Sequence, residues 1–442
     1  MQDSNNLSRR KFIQRTATAA AGLGLGVSAL AQDGVLGKGK SERGANDKIV
    51  FGLIGCGGMG MANARNFMGH PDAEIAAVCD VDSARMPGDI KAIEEKYGRR
   101  PEVFRDYRKM LERKDIDAII VGSPDHWHAL NLIHACEAGK DVYCEKPISY
   151  SIREAKAMTA AQDHFGRVVQ VGTWQRSDRE FTDAIAYIRA GKLGKIVHCR
   201  AWIADGTRIG KRPVSTPPTS LDYDMWIGPA KMVPYQDNRV HWNWRWVLNT
   251  GGGLTTDWGV HMMDIALLGM SAGQDLVMPN KVTATGGNWA IQDDDRDAPD
   301  TIEALLTFNN FAMTWSVLRD HPGKPGHGTE FVSADGRTVR VWRGGWMILD
   351  ADGKEIPKEQ ADPVESTHWR NFLDCVKTRQ KPRADLHSVA QTTICCHLVN
   401  ASLFSGETVK WDKSRMDIVG KAGKNTTAYH REYRKGYELK MY

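Results

Sequence analysis

The stretch Ile49–Asp80, which reads IVFGLIGCGGMGMANARNFMGHPDAEIAAVCD, decides the fold of the N-terminal half. It begins with an apolar run, Ile49–Ile54, and passes through the pattern G-x-G-x-x-G into a helical pattern, Met59–Met68. A second apolar run, Ile75–Cys79, then ends at the carboxylate of Asp80. A strand, a glycine-rich turn and a helix in this order form the context that a dinucleotide-binding motif requires. The stretch therefore predicts a dinucleotide site.

Each glycine of this pattern has a physical role. Gly55 permits the tight turn, Gly57 lets the backbone approach a pyrophosphate, and Gly60 lets the helix pack closely on the strand. The helix N-terminus supplies amide donors and a partial positive charge for the phosphates. Asp80, about 20 residues past the glycines, is placed to bind ribose hydroxyls and would repel a 2′-phosphate, which predicts NAD rather than NADP. Asp82 is the alternative carboxylate, and a plain glycine-rich turn without a ligand is the alternative interpretation.

The pattern of strand followed by helix continues beyond this motif. Further strand-like runs occupy Ile116–Val121, Val142–Cys144 and Val168–Val171. Helical patterns lie between the runs, at Ile90–Tyr97, His128–Ala138 and Ile152–Phe165. Such alternation is typical of an α/β fold with a doubly wound parallel sheet. We therefore predict a Rossmann domain over residues 48–172.

After Gly172 the strand-like runs follow one another directly. They are Ile196–Ile203, Val282–Asn288, Ile302–Phe308, Ala312–Val317, Glu330–Ser333, Val339–Val341 and Met347–Leu349. Turn dipeptides such as Asp335-Gly336 and Asp352-Gly353 lie between or beside them, as in hairpins. This succession predicts an α+β domain with an antiparallel sheet over residues 173–442. Two late helical patterns, Thr367–Lys377 and Ser388–Phe404, could pack on the Rossmann domain.

The N-terminus has the features of an export signal. Ser8–Ile13 forms a twin-arginine pattern, an apolar Ala/Gly-rich run extends from Thr16 to Leu30, and Ala29–Ala31 offers a cleavage site. We predict a signal peptide at residues 1–31, a linker at 32–47, a periplasmic location and the twin-arginine export machinery as a partner. A disordered basic tail is the alternative. Because this pathway carries folded proteins, a tightly held cofactor is favoured.

Charge and cysteine content give no support for a protein that binds nucleic acid, an anionic membrane surface or zinc. The formal net charge is +5, and part of it comes from the basic residues around the twin-arginine pattern. The remainder is nearly balanced, which gives no support for binding nucleic acid or an anionic membrane surface. None of the eight cysteines forms C-x-x-C, and no Cys/His cluster has zinc spacing. We therefore predict no metal site and interpret the cysteines as small buried apolar residues.

Polar segments follow two of the predicted strands. Ser123–His128, which reads SPDHWH, comes after one strand, and Glu145–Pro147, which reads EKP, comes after the next. In an open α/β sheet, ligands bind outside the carboxyl ends of the strands. A lysine there can stabilise a developing alkoxide or take a proton, and a histidine can do either near neutral pH. A solvated lysine and a pair of helix-capping histidines are the alternatives.

A third polar segment lies in the C-terminal half and reads GGGLTTDWGVHMMD over residues 251–264. If it is one helix, Asp257, His261 and Asp264 fall on the same face. A solvated face is the alternative, although Trp258 and Val260 leave little exposed surface for it.

Together, G-x-G-x-x-G, E-K-P and G-G-x-x-x-D-x-G-x-H-x-x-D resemble the motifs of the glucose–fructose oxidoreductase, inositol dehydrogenase and rhizopine catabolism (Gfo/Idh/MocA) family. The resemblance covers the chain from about residue 46 onward. It implies a Rossmann domain followed by an open-faced antiparallel sheet that commonly makes subunit contacts, hence a homo-oligomer, either dimer or tetramer. It also implies that Lys146, Asp257 and His261 line the nicotinamide and substrate site and that exported members retain their nucleotide.

Other segments look like those of the glycoside-acting branch of this family. These are D-H-W-H, G-T-W-Q-R-S over residues 172–177, and H-W-N-W-R-W over residues 241–246. Indole faces suit the C–H face of a sugar ring, and Arg245 could bind hydroxyl groups. The predicted cofactor contacts are Gly55, Gly57, Gly58, Met59, Gly60, Asp80, Ser123, Pro124, His128, Glu145 and Lys146. The predicted substrate contacts are Trp174, Gln175, Arg176, Trp244, Arg245 and His261.

Three functions remain open from the sequence. The first is an NAD-dependent oxidoreductase acting on a secondary hydroxyl, at C3, of a sugar or glycoside. His261 would be the base, Lys146 would polarise the oxygen and Asp257 would orient one of them, with the roles of Lys146 and His261 exchangeable. The second is a glycosidase, similar to N-acetylgalactosaminidases, that uses transient C3 oxidation. The third is a non-catalytic NAD-bound binding protein, which the intact Lys146, Asp257 and His261 set argues against.

Overall fold

The computed structural model describes residues 47–271, 276–321, 323–358 and 367–442. The predicted signal peptide and nearly all of the predicted linker lie outside these residues. Within the described ranges, no helix combines the length and the apolar character needed to cross a membrane.

The first sheet is a six-stranded parallel sheet with strand order β3-β2-β1-β4-β5-β6. This is the order of a dinucleotide-binding Rossmann domain, in which the chain crosses from one half of the sheet to the other at β1 and β4. Its strands are apolar because helices cover both faces. The strands are β1 (Ile49–Ile54), β2 (Ala73–Cys79), β3 (Glu102–Phe104), β4 (Ala118–Val121), β5 (Asp141–Cys144) and β6 (Val169–Val171).

Five helices accompany this sheet: α1 (Gly58–Met68), α2 (Pro87–Tyr97), α3 (Tyr107–Leu111), α4 (Asp125–Glu137) and α5 (Ile152–Phe165). Helix α4 begins three residues before the predicted start, because Pro124 at its N-cap and Asp125 in its first turn suit a helix start. Strand β3 and helix α3 are not predicted from the sequence, because they are too short to show a periodic pattern. The predicted α/β class is nevertheless confirmed.

The second sheet has ten strands, in the order β14-β13-β12-β11-β7-β10-β9-β8-β15-β16. All neighbours are antiparallel except β7 and β10, which run parallel, so the predicted antiparallel sheet is mixed at its centre. The strands are β7 (Ile196–Ala204), β8 (Lys281–Gly287), β9 (Thr301–Thr307), β10 (Ala312–Leu318), β11 (His327–Ser333), β12 (Thr338–Trp342), β13 (Gly345–Leu349), β14 (Glu355–Ile356), β15 (Val409–Asp412) and β16 (Asp417–Val419).

The remaining helices are α6 (Arg179–Arg189), α7 (Tyr223–Ile227), α8 (Gly253–Asp257), α9 (Gly259–Met270), α10 (His368–Thr378) and α11 (Leu386–Ser405). Helices α8 and α9 replace the single helix expected over residues 257–264. The break falls at Trp258, whose φ of −107° departs from helical geometry. Asp257 therefore ends one helix, while His261 and Asp264 belong to the next.

Helix α10 packs on the Rossmann sheet although it lies near the end of the chain. Its Phe372 ring contacts Phe51, Phe67 and Tyr143, with centroids 5.8–6.2 Å apart. Arg370 of the same helix forms a two-pronged ion pair with Asp72, at 2.8 and 2.9 Å. The Rossmann core is thus completed by a segment that follows the second sheet.

Residues 428–442, here named the C-terminal strap, also return to the Rossmann domain. The Arg431 guanidinium lies 4.2 Å from the Tyr150 ring centroid, and the Tyr433 hydroxyl donates to Glu154. Farther along, the Tyr437 ring packs edge-on against Trp127 at 5.5 Å. The strap therefore lies along α4 and α5.

Candidate active site

The glycine turn after β1 leaves no room for side chains at two positions. Gly55 has a φ of +87°, and a Cβ there would lie 2.7 Å from the Gly122 backbone. A Cβ at Gly60 would lie 1.9 Å from the Gly55 carbonyl oxygen. These contacts fit the roles of tight turn and close packing. Gly57 is extended at the N-cap of α1, and the Arg85 guanidinium covers it.

Asp80 lies at the carboxyl end of β2, next to this turn. Its two carboxylate oxygens accept backbone N–H bonds from Cys56 at 2.8 Å and from Asp82 at 2.9 Å. Burial raises the pKa of the Asp80 carboxyl, and the two backbone donors and Arg85 counteract part of that effect. These two hydrogen bonds fix the orientation of the Asp80 carboxylate at the position where the sequence predicts the ribose of the dinucleotide.

A cleft runs along the carboxyl ends of β1, β2, β4 and β5 and encloses about 1290 Å³ including its open mouth. Ten of the eleven predicted cofactor contacts line it: Gly55, Gly57, Gly58, Met59, Asp80, Ser123, Pro124, His128, Glu145 and Lys146. Gly60 instead packs behind the turn. The cleft's outer wall comes from the second half of the chain and includes Met225, Trp226, His241, Trp242, Trp244 and Arg245.

The Arg245 guanidinium lies between two indole rings of this wall. It lies 4.3 Å from the Trp242 ring centroid and 4.2 Å from that of Trp244. Its Nε also faces the Asp257 carboxylate at 3.4 Å. Stacking fixes the guanidinium plane, so Arg245 joins the aromatic wall to the polar centre of the site.

Lys146 and Asp257 form the ion pair at this centre. The Lys146 Nζ donates to Asp257 Oδ1 at 2.8 Å and to the Asp257 backbone carbonyl at 3.1 Å. Burial alone would raise the pKa of the Asp257 carboxyl, but Lys146 and Arg245 outweigh burial and hold that pKa below its usual value. The carboxylate is therefore ionised and keeps the lysine ammonium in place.

His261 lies on α9 between two indole rings. Its ring centroid is 6.3 Å from Trp174 and 6.0 Å from Trp258. Burial lowers the pKa of His261 far below its usual value, and the nearby charges of Lys146 and Arg343 lower it further. Its Nδ1 is buried and has no hydrogen-bond partner among the described residues. A neutral imidazole of this kind can accept a proton.

Of the predicted substrate residues, Trp244 and Arg245 line the cleft, whereas Trp174, Gln175, Arg176 and His261 are not among its lining residues. The Arg176 guanidinium forms a two-pronged ion pair with Asp264, at 2.6 and 2.7 Å, and donates to Ser388. Both partners of this ion pair are almost fully buried. The Gln175 side-chain amide is also buried and unpaired within the described part of the chain. Arg176 therefore connects the segments that carry Asp264 and Ser388 to its own.

The two histidines after β4 are enclosed by backbone. His128 contacts the carbonyl oxygens of Pro147 and Ser123 at 2.6 and 2.7 Å, and burial lowers its pKa to about 4. His126 contacts the Trp226 carbonyl, and burial lowers its pKa to about 3. Both are neutral near pH 7 and connect the E-K-P segment and the aromatic wall to α4.

The residues of the cleft fit a dinucleotide. Gly58 leaves open space beside the N-terminus of α1, where a pyrophosphate would accept amide hydrogen bonds. Asp80 offers a fixed carboxylate for ribose hydroxyls. Asn131, which lines the cleft, has a buried Nδ2 with no partner in the described structure. Burying such a donor is costly unless a bound molecule pairs with it.

Two sequence-family matches cover most of the chain. Residues 49–173 match the Gfo/Idh/MocA oxidoreductase family with its NAD-binding Rossmann fold, and residues 201–438 match the C-terminal alpha/beta domain of the same family. The chain belongs to the Gfo/Idh/MocA oxidoreductase family. The first domain of this Gfo/Idh/MocA protein is therefore an NAD-binding Rossmann domain.

Relatives of this Gfo/Idh/MocA protein differ in activity. An inositol 2-dehydrogenase of Rubrobacter xylanophilus is 33% identical over 36% of this chain and 45% of its own length. A glycosyl hydrolase family 109 protein of Shewanella baltica is 28% identical over 45% of this chain and 46% of its own length. The chain thus spans about half the length of these relatives. A levoglucosan dehydrogenase solved with NADH and levoglucosan shares the fold, with a TM-score of 0.61 and 18% identity over 82% of this chain and 99% of that one.

Several residues of the site are not predicted from the sequence. Tyr107 and Asn131 line the cleft, and Arg343 stacks on the two indole rings beside His261. Tyr107 lies on a helix that is too short to show a pattern, and Asn131 is one of several polar residues of α4, so no local pattern distinguishes either of them. Arg343 belongs to a hairpin turn far along the chain, and only the folded sheet brings it to His261.

Proposed function

We propose that this protein oxidises a secondary hydroxyl, at C3, of a sugar or glycoside by transferring a hydride to bound NAD. The main support for the proposal is the buried ion pair between Lys146 and Asp257 at the cleft. The charge of Lys146 also contributes to lowering the pKa of His261, which keeps that imidazole neutral. An ammonium group and a neutral imidazole in one site are what removal of a proton from an alcohol needs.

Each of these groups has one task. When bound, NAD supplies the nicotinamide carbon that accepts the hydride from the sugar carbon. His261 takes the hydroxyl proton, because its lowered pKa keeps it unprotonated. The Lys146 ammonium stabilises the developing negative charge on the oxygen. Asp257 orients Lys146 by accepting a hydrogen bond from its Nζ at 2.8 Å, and we assign the role of base to His261 rather than to Lys146.

The aromatic wall supports a sugar as the substrate. Trp242 and Trp244 present indole faces around Arg245, and Trp174 and Trp258 lie beside His261. Indole faces pack against the C–H face of a sugar ring, while a guanidinium binds its hydroxyl groups. The names of the inositol and levoglucosan dehydrogenases fit a polyhydroxylated substrate.

Substituting the proposed catalytic residues tests this function. We expect Lys146→Met and His261→Gln each to lower the rate of NAD reduction by roughly 10²–10⁴-fold, because each removes a charge or a proton acceptor from the transition state. The measurement is the absorbance of reduced nicotinamide after glycosides are added to the NAD-loaded protein. Lys91→Met, at a side chain that is 76% exposed, is the matched control. A Lys146→Met variant with the wild-type rate would overturn the proposal.

A glycosidase is the second candidate, because one relative is a glycosyl hydrolase family 109 protein. Oxidation at C3 would acidify the neighbouring C–H proton, elimination would expel the aglycone, water would add, and the ketone would be reduced. Release of nitrophenol from a nitrophenyl glycoside without an added oxidant would support this function. A stable 3-keto product would support the oxidoreductase. Failure to turn over any glycoside would indicate a binding protein instead.

We further propose that the protein is exported through the twin-arginine pathway to the periplasm with NAD resident, and that it forms a dimer or tetramer through its second sheet. Exposed apolar side chains on that sheet, Val197 and Leu305, support subunit contacts. Denaturing the purified protein and identifying the released nucleotide tests residency, and light scattering tests oligomerisation. An empty monomer would contradict both.

A further inference from the structure

We propose that Arg343 binds a carboxylate on the substrate, so that the preferred sugar is acidic, of the uronic acid class. This inference rests on the proposed function, since it names the substrate of that same site. Arg343 lies at the tip of the β12–β13 hairpin, between Trp342 and Gly345, far in sequence from every residue of the catalytic centre.

Arg343 reaches the catalytic centre through two indole rings. Its guanidinium carbon lies 4.5 Å from the Trp174 ring centroid and 4.4 Å from that of Trp258. The same two rings flank His261. The charge of Arg343 contributes to lowering the pKa of His261 after burial, the largest cause, and Lys146. The guanidinium therefore lies within electrostatic reach of the proposed base.

The guanidinium of Arg343 is not paired with a carboxylate in the described structure. Its Nε is buried and has no hydrogen-bond partner there, and the backbone N–H of Arg343, which donates to His327 at 3.3 Å, does not involve the side chain. Asp178 and Asp257 act on it electrostatically without forming an ion pair. By contrast, Arg176 and Arg245 each contact a carboxylate directly.

Stacking determines how a ligand can approach Arg343. Because indole rings contact its face, a ligand reaches the guanidinium along its edge, where the N–H donors point. A planar carboxylate matches two parallel N–H donors of that edge. The Asp257 carboxylate, which acts on Arg343 electrostatically, is already paired with Lys146 and Arg245. A substrate carboxylate would give the buried Arg343 Nε the hydrogen-bond partner that it lacks among the described residues.

The test compares matched sugars on the NAD-loaded protein. The probes are the methyl glucuronide and methyl glucoside pair, the corresponding galacto and manno pairs, and glucose 6-phosphate. Calorimetry measures Kd, and NAD reduction gives KM and kcat. We expect each accepted uronide to bind roughly 10–100-fold more tightly than its neutral partner, as a charged hydrogen-bonded pair provides.

Substitutions at Arg343 locate that preference. We expect Arg343→Met to raise Kd and KM for the uronide by the same 10–100-fold relative to its neutral partner, so that the preference between the two sugars is lost. Arg343→Lys should recover only part of the binding, because an ammonium lacks the planar fork. Arg415→Met is the matched control, since Arg415 lies in the turn between β15 and β16 and its side chain is 83% exposed.

The two proposals fail in different ways. If neutral sugars reduce the bound NAD and no uronide binds more tightly than its neutral partner, the Arg343 inference is wrong and the proposed function stands. If uronides bind through Arg343 but no sugar reduces NAD, the inference stands and the redox function is wrong. A preference for glucose 6-phosphate over every uronide would also overturn the inference.

Discussion

At the scale of single residues, the environment of His261 decides how activity depends on pH. Burial, Lys146 and Arg343 all disfavour the protonated imidazole. A histidine with an unperturbed pKa of about 6.5 would lose its capacity as a base below that pH. In this site the neutral form persists to lower pH, because the proton is released more readily from a buried imidazole close to positive charges.

We therefore expect kcat/KM for NAD reduction to stay level as the pH falls through about 6.5, and to decrease only at clearly lower pH. A stopped-flow pH profile of the NAD-loaded protein measures this. His261→Gln should abolish that acidic limb along with most of the activity. An ionisation near 6.5 in the wild type would show that His261 is not the base.

The sequence identified some residues of the site and missed others for reasons that lie in the fold. Gly55 and Asp80 could be predicted because strand, turn and helix are consecutive in the chain, so their relation is local. Lys146 could be placed because carboxyl ends of parallel strands meet at one edge. Arg343 could not be placed in the site from the sequence, because the two indole rings that contact it come from residues 174 and 258. No local pattern relates these three positions.

At the scale of secondary-structure elements, the Arg176–Asp264 ion pair joins three of them. Arg176 lies in the turn Trp174–Ser177, Asp264 lies on α9, and Thr392 of α11 also donates to Asp264 at 2.6 Å. The sequence predicted Arg176 as a substrate contact. Its buried position instead indicates that it fixes the turn that carries Trp174 against α9.

We expect Arg176→Met to lower the free energy of unfolding by about 3–5 kcal/mol, because it leaves the Asp264 carboxylate buried without a counter-charge. Urea denaturation measures this loss. The double variant Arg176→Met/Asp264→Leu should recover most of it, since no charge remains to be paired. If Arg176→Met instead keeps full stability and raises only the KM for the sugar, the original assignment to substrate binding is correct.

The break between α8 and α9 shows where a periodic pattern misleads. The spacing of Asp257, His261 and Asp264 fits one face of one helix, yet the structure assigns the two carboxylates different partners. The break at Trp258 lets Asp257 meet Lys146, while Asp264 meets Arg176. The cationic partners of the two aspartates, Lys146 and Arg176, are buried and lie about 90–110 residues away in the chain. A periodic pattern within one helix cannot reveal such distant partners.

At the scale of the whole molecule, the C-terminal strap bridges the two sides of the cofactor cleft. Arg434 of the strap pairs with Asp224 and donates to the Gly228 carbonyl at 3.2 Å, at either end of α7. Helix α7 carries Trp226, which lines the cleft opposite the Rossmann domain. Tyr437 of the same strap packs on Trp127, which also lines the cleft.

We expect Arg434→Ala to raise the rate of NAD release roughly three- to tenfold, because it removes charged hydrogen bonds that hold α7 against the strap. Release is measured by trapping the nucleotide that leaves the loaded protein. Lys440→Ala is the control, because Lys440 lies on the same strap but pairs with Glu137 of α4, which does not line the cleft. Equal release rates in the two variants would show that the strap does not retain NAD.

The strap and α10 also bear on the order in which the protein folds. The first sheet is synthesised early, but Phe372 completes its core and Tyr437 covers α4, and both come after the ten-stranded sheet. Contacts between such distant parts of a chain form slowly, because the intervening loop must first be closed. The apolar surface that Phe372 covers in the Rossmann core therefore stays exposed until α10 has been synthesised and has packed. Because Tyr437 packs on Trp127, which lines the cleft, we expect the cleft to reach its final shape only after the strap has packed.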